Sequence, residues 1–135
     1  CGIDNADHEE TGSRHSDLVI SKLSCSLVGQ EEKLTVIAPE SKLSSLLQKT
    51  QFKGKYHCNY GLNDAYVEVL KKHGCTVTVV SPDGDVRAFE LTSHPFFLGT
   101  LFQTPLASSY EEPNPIIMGF LKQCIAYSKK DESPL

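Results

Sequence analysis

Apolar positions along the chain alternate with polar ones in short runs, and helical spacing appears in only three places. Asp4 to Asp17 is polar and acidic, with His8, Glu9, Glu10 and His15, and has no apolar period, so it reads as a loop. Leu18 to Val28 reads as extended, with Val19, Leu23, Cys25 and Leu27 including an alternating run that suits a half-buried strand. Gly29, Gln30 and two glutamates read as a turn before Lys33 to Ile37, where Leu34 and Val36 alternate again. These two extended stretches are expected to pair as a hairpin. Pro39-Glu40-Ser41 opens a short helix with Leu43, Leu46 and Leu47 on one face. Phe52 to Tyr60 is extended and rich in aromatics.

In the second half, Asn63 is an expected N-cap for a helix from Asp64 to His73, striped by Tyr66, Val69 and Leu70 and stopped by Gly74. Thr76 to Val80 and Val86 to Leu91 flank Pro82-Asp83-Gly84-Asp85, the strongest hairpin signal in the chain. Phe96 to Phe102 is almost continuously apolar, as in a strand buried on both faces, and places Gln103 at its end. Pro115 to Ser128 has helical spacing at Ile116, Phe120, Cys124 and Tyr127; Ile116, Phe120 and Cys124 are expected to pack on a sheet. Lys129 to Leu135 is charged and reads as a frayed tail. With no internal repeat or low-complexity segment, 1–135 reads as part of one α/β domain. It has too few strand–helix units to close a doubly wound sheet alone.

Composition narrows the function classes. The chain has 135 residues and a formal net charge of −4, which gives no basic footprint for nucleic acid. No apolar run approaches the ~20 residues of a membrane span. Cys1 to Asn5 lacks the basic start and apolar middle of a signal peptide, so a cytoplasmic location is expected. The single methionine is Met118 and the sequence opens on Cys1, which is expected of a processed product or a fragment. The five cysteines contain no C-x-x-C pair, and an odd count argues for reduced thiols. Cys25, Cys75 and Cys124 lie in apolar patterns and are expected to be small buried hydrophobes. His8, His15, His57, Cys58 and His94 fit no standard zinc spacing, and neither a metal nor a cofactor is expected. Cys58 beside His57 is a poor dyad, because neighbours on a strand point to opposite faces.

One stretch carries a family resemblance. His94-Pro95-Phe96-Phe97 through Gln103-Thr104-Pro105 resembles the end of the glutaminase domain of CTP synthases, where a His-Pro-aromatic-aromatic strand leads into Phe-His-Pro-Glu. Ile3 to Glu10 resembles the acidic loop that follows the family's nucleophile helix. His57-Cys58-Asn59-Tyr60-Gly61-Leu62-Asn63 resembles its Arg-His-Arg-Tyr-Glu-Val-Asn stretch. Pro113-Asn114-Pro115 with Met118-Gly119-Phe120 resembles its final helix. The motifs occur in the family's order across nearly the whole chain. The resemblance implies an α/β, class I glutamine amidotransferase (flavodoxin-like) three-layer fold, incomplete because its N-terminal half is missing.

The resemblance also implies a chemistry and its loss. In the family a cysteine attacks the glutamine amide, a histidine moves protons and a glutamate orients the histidine. Gln103 stands at the histidine position and Pro105 at the glutamate position. The amide of glutamine is not a base near neutral pH, and proline has no carboxylate. The nucleophile is expected upstream of Cys1. Glu10 matches the carboxylate that contacts the amino group of bound glutamine, Tyr60 matches a tyrosine beside the substrate, and Asn59 replaces an arginine there. The expectation is a CTP synthase-like domain unable to hydrolyse glutamine, with glutamine or a small amide as ligand and the missing half-domain as partner. The alternatives are an authentic amidotransferase, or a pyrimidine-biosynthetic enzyme aminating UTP with residues outside the chain, and a non-catalytic module for a small amide or a protein. No phosphate-binding G-x-x-x-x-G-K-[ST] loop is present. Cys1-Gly2-Ile3 also resembles the processed start of class II glutaminases, whose terminal amine, with a pKa near about 8, serves as base. That match is three residues long, and an acidic loop follows it where a strand belongs.

Overall fold

The computed structural model describes residues 1–12 and 17–131, and through them two sheets and three helices. The smaller sheet contains β1 (Ala6–His8), β2 (Asp17–Lys22) and β5 (Tyr60–Leu62), with β2 in the middle, parallel to β1 and antiparallel to β5. The larger sheet has the order β4-β3-β6-β7-β8, all antiparallel. Its strands are β3 (Glu31–Val36), β4 (Gln51–Lys55), β6 (Cys75–Val80), β7 (Val86–Leu91) and β8 (Leu98–Thr100). The helices are α1 (Lys42–Leu47), α2 (Val67–Lys72) and α3 (Pro115–Asp131).

The expected hairpin between the first two extended stretches does not form, because β2 and β3 belong to different sheets. Leu27 is buried in the main core between them, so the chain crosses from one sheet to the other there. The two glutamates assigned to a turn begin β3 instead, and the alternation runs back to them. Glu32 and Leu34 point inward while Glu31 and Lys33 stay exposed. The acidic segment expected to be a loop contains β1 and a 3-10 turn, Glu9–Thr11, capped by the His8 side chain. His15 and residues 132–135 lie outside the described residues.

Local signals were followed elsewhere. Ser41 caps α1 by accepting from the Ser44 amide, and Asn63 caps a 3-10 turn (Asp64–Tyr66) that leads into α2. Gly74, at φ 88, ends that helix in the left-handed region. The β6–β7 hairpin forms around the Pro82–Asp85 turn. The core joins Leu34, Leu43, Tyr56, Val79, Ala88, Phe102 and Ile116.

Three burial expectations are corrected. Phe96 to Phe102 is not a strand buried on both faces. Only Leu98–Thr100 is strand, it forms the sheet edge, and Phe97 is 46% exposed. The apolar run is shared out: Phe96 packs against Phe120, Gly99 lies under the Phe89 ring, and Phe102 turns into the core edge-on to Phe52. On α3, Ile116 is buried but Phe120 is 51% exposed and Cys124 is exposed. The helix leans on α1 and not along the sheet. At that crossing a Cβ on Gly119 would come within 2.5 Å of Leu46. Cys25 is exposed too and Cys75 only half-buried, so none of the three is a core side chain.

Thr78 is fully buried where the β6–β7 register breaks between Val77 and Val79, and its Oγ1 has no partner among the described residues. A buried hydroxyl without a hydrogen bond is destabilising. Thr78→Val keeps the shape and is expected to raise the unfolding free energy by about 1 kcal/mol. Urea denaturation checks this, and a loss of stability would mean the hydroxyl is satisfied in solution.

Candidate functional site

Two strand ends and one crossover gather the residues marked by the sequence. The crossover runs from the end of β4 at Lys55 to the start of β5 at Tyr60, carrying Tyr56, His57, Cys58 and Asn59 from the large sheet to the small one. Gln103 follows β8 and is held against this crossover. Its backbone amide donates to the Lys55 carbonyl at 2.9 Å, and its side-chain Nε2 donates to the His57 carbonyl at 3.5 Å. Pro105 is exposed in the next turn (Thr104–Ala107), where its fixed φ suits the first helical positions. Neither position offers an atom that can accept or release a proton near neutral pH.

The other three candidates belong to the small sheet. Tyr60 pairs with Lys22, and its ring lies 5.8 Å from that of His8, which pairs with Ile20 on the other side of β2. Asn59 accepts from the Leu23 amide through its carbonyl, while its side-chain Oδ1 is buried with no partner among the described residues. Glu10 is exposed. Its amide donates to His8 Nδ1 at 3.2 Å, whereas the neighbouring Glu9 carboxylate is occupied by the Lys22 amide. A neutral His8 accepting at Nδ1 carries its proton on Nε2. The fold therefore brings His8 to Tyr60, and Gln103 to the His57 backbone.

Between the sheets lies a cleft of about 300 Å³, lined by His8, Ile20, Cys58, Tyr60, Phe89 and Leu101 among others. Cys58 Sγ donates to the Tyr60 carbonyl and accepts from the Tyr60 amide, both at 3.3 Å. Among the described residues no group of three His, Cys, Asp or Glu side chains could hold a metal ion, and no helix is long and apolar enough to cross a membrane.

Sequence reasoning missed the network beneath the crossover. Arg87, 5% exposed, grips Glu32 through Nε at 2.8 Å and Nη2 at 3.2 Å, and reaches Asp85 at 3.2 Å. The Tyr56 hydroxyl donates to the same Glu32 carboxylate at 2.7 Å. The hydrogen bond from Arg87 lowers the Glu32 pKa, against the opposing effect of burial, and Tyr56 lowers it further. Burial raises the Tyr56 pKa, and its bond to the Glu32 carboxylate adds to that shift. The only sequence signal was that Glu32 continues the inward alternation of Leu34 and Val36.

Comparison with known proteins gives a consistent outcome. No family model matches the chain. CTP synthase of Methylocella silvestris is 32% identical over 94 residues, covering 69% of this chain and 17% of the relative. CTP synthase of Helicobacter pylori is 32% identical over 92 residues, covering 68% and 17%. The chain thus matches less than a fifth of the length of these relatives. The glutaminase domain of Trypanosoma brucei CTP synthase, solved with bound acivicin, superposes with a TM-score of 0.80 at 22% identity, over 93% of this chain and 52% of that domain.

The network makes stability depend on pH. The folded-state pKa of Glu32 lies below its ordinary 4.5, so its contribution is complete above that value and is lost as pH falls through the lowered folded value. Glu32→Leu is expected to cost about 3 kcal/mol near neutral pH, because it strands the buried Arg87. It should also flatten the acid limb of stability against pH. Chemical denaturation across that range checks both effects. An unchanged acid limb in the variant would show that Glu32 does not carry the dependence.

Proposed function

The chain belongs to the class I glutamine amidotransferase domains of the CTP synthase type, and from that premise we propose that it is the C-terminal part of a domain that does not hydrolyse glutamine. The observation that carries the reading is the end of β8. There Gln103 spends its side-chain amide on the His57 carbonyl, and Pro105 follows in an exposed turn. Hydrolysis through an acyl-enzyme needs a group that removes a proton from the nucleophile and returns one to the departing ammonia. A carboxamide does neither, and a pyrrolidine ring cannot orient a base. An upstream cysteine ionised by a helix N-terminus would recover part of the attack step, but not the protonation of the leaving group.

A ligand role is supported separately by Glu10 and Tyr60. Glu10 matches the family's substrate-contacting carboxylate and Tyr60 a tyrosine beside the substrate strand, while Asn59 supplies no charge for a substrate carboxylate. The ligand class that fits is glutamine or another small amide, held without being cleaved.

The test is ammonia release from glutamine by the full-length protein, beside a Gln103→His, Pro105→Glu double variant. The unmodified protein is expected to stay far below the roughly 1 s⁻¹ of an ordinary enzyme. Restoring the base is expected to raise any residual rate by about 10²-fold or more. Turnover at ordinary rates by the unmodified protein would overturn the proposal and direct attention to His8 as the proton carrier.

A further inference from the structure

The cleft between the two sheets has apolar walls. Ile20 and Leu62 line it from the small sheet, where they are paired across β2 and β5. Val86, Phe89 and Leu101 line it from the side of the large sheet. The Phe89 ring lies over Gly99 of the neighbouring strand, so closely that a Cβ there would come within 2.7 Å of it. Strand pairing therefore sets the shape of the cleft before any ligand arrives. Its volume, about 300 Å³, stands at the small end of the roughly 300–1,000 Å³ that ligand pockets span.

The polar groups in this lining decide what can enter. Among the described residues no aspartate, glutamate or lysine lines the cleft, and Glu10 stays outside it. The cation that does line it, Arg87, already holds the carboxylates of Glu32 and Asp85. A third carboxylate arriving there meets more negative charge than positive. The Cys58 thiol both donates to and accepts from the Tyr60 backbone, so its capacity is used. His8 accepts the Glu10 amide at Nδ1, which leaves its neutral ring an N–H at Nε2 to donate. A donor beside apolar walls suits a carbonyl oxygen on an apolar body.

Free glutamine carries an ammonium and a carboxylate at neutral pH. In this cleft each would lose water and find no counter-charge left to pair with, which is strongly unfavourable. A neutral amide has no such cost. We infer that the inter-sheet cleft binds a small uncharged amide with an apolar body and refuses glutamine itself. The inference rests on the ligand reading above and narrows it to one chemical class.

The test compares benzamide, benzoate and benzamidine, which share one shape and differ in charge, with glutamine beside them. Each is titrated into the 135-residue chain while the Ile20, Leu62 and Leu101 methyl signals are followed by NMR. Benzamide is expected to shift all three, with a Kd on the order of 1 mM for so small a ligand. The two charged analogues are expected to bind at least about tenfold more weakly, and glutamine to leave the three methyls unmoved. Ile20→Phe fills the cleft and is expected to weaken benzamide about tenfold with circular dichroism unchanged. If that variant loses its fold, His8→Phe keeps a ring against Tyr60, removes the N–H, and is expected to weaken benzamide about fivefold. The inference is overturned if either charged analogue binds as tightly as benzamide, if glutamine shifts the cleft methyls, or if a folded variant binds undiminished. Glutamine shifting the Glu10 and Tyr60 amides while benzamide shifts nothing overturns it and keeps the broader ligand reading. Silence with both amides overturns both.

Discussion

The Glu32 carboxylate is where this molecule is tied together. It receives two bonds from the Arg87 guanidinium of β7 and one from the Tyr56 hydroxyl at the start of the crossover, while its own backbone belongs to β3. β3 and β7 are not neighbours in the sheet, since β6 lies between them. The side-chain bonds therefore span a strand and fix the relative placement of three segments that backbone pairing alone would link only in series. A charge pair this deep is costly to desolvate and is favourable only with its remaining hydrogen-bond capacity filled. Asp85 and Tyr56 supply part of that filling, and removal of Glu32 would leave the buried Arg87 with Asp85 alone.

The candidate site inherits its geometry from this tie. Tyr56 is fully buried, its amide donates to Gln30 and its carbonyl accepts from Gly29, so the start of the crossover cannot drift. Three and four residues later the same segment delivers Asn59 and Tyr60 to the small sheet, where Tyr60 meets His8. On the opposite side the Gln103 amide is pinned to the Lys55 carbonyl, the last residue of β4 before Tyr56. The crossover and the end of β8 thus stand on a scaffold held by these backbone bonds and by Glu32.

Elements with strong local signals were legible in the sequence. The β6–β7 hairpin announces itself through Pro82–Asp85, α1 and the turn into α2 through the caps Ser41 and Asn63, and α3 through Pro115 and its spacing. What failed was partnership, which is a property of tertiary context. Alternation in β2 and β3 shows that each is a strand but carries no information on which sheet each joins. The run Phe96–Phe102 was read as doubly buried because its composition suits a central strand, yet each aromatic ring found a different neighbour and Phe97 found an exposed edge. Of the candidate site, Gln103 and Pro105 were singled out by the order of motifs, a resemblance and not a local structural signal. The Arg87–Glu32–Tyr56 network was not, because its members are 24 to 55 residues apart and follow no motif.

The dependence of the crossover on Glu32 is tested most directly by removing one oxygen. Tyr56→Phe deletes the hydroxyl that donates to Glu32 and leaves the buried ring in place. Amide hydrogen exchange should then quicken at Gly29 and Tyr56, whose bonds hold the crossover, and at Leu23, which donates to Asn59, with the β6–β7 hairpin unchanged. Unaltered protection at all three amides would contradict the account, since the crossover would then be held by backbone pairing alone.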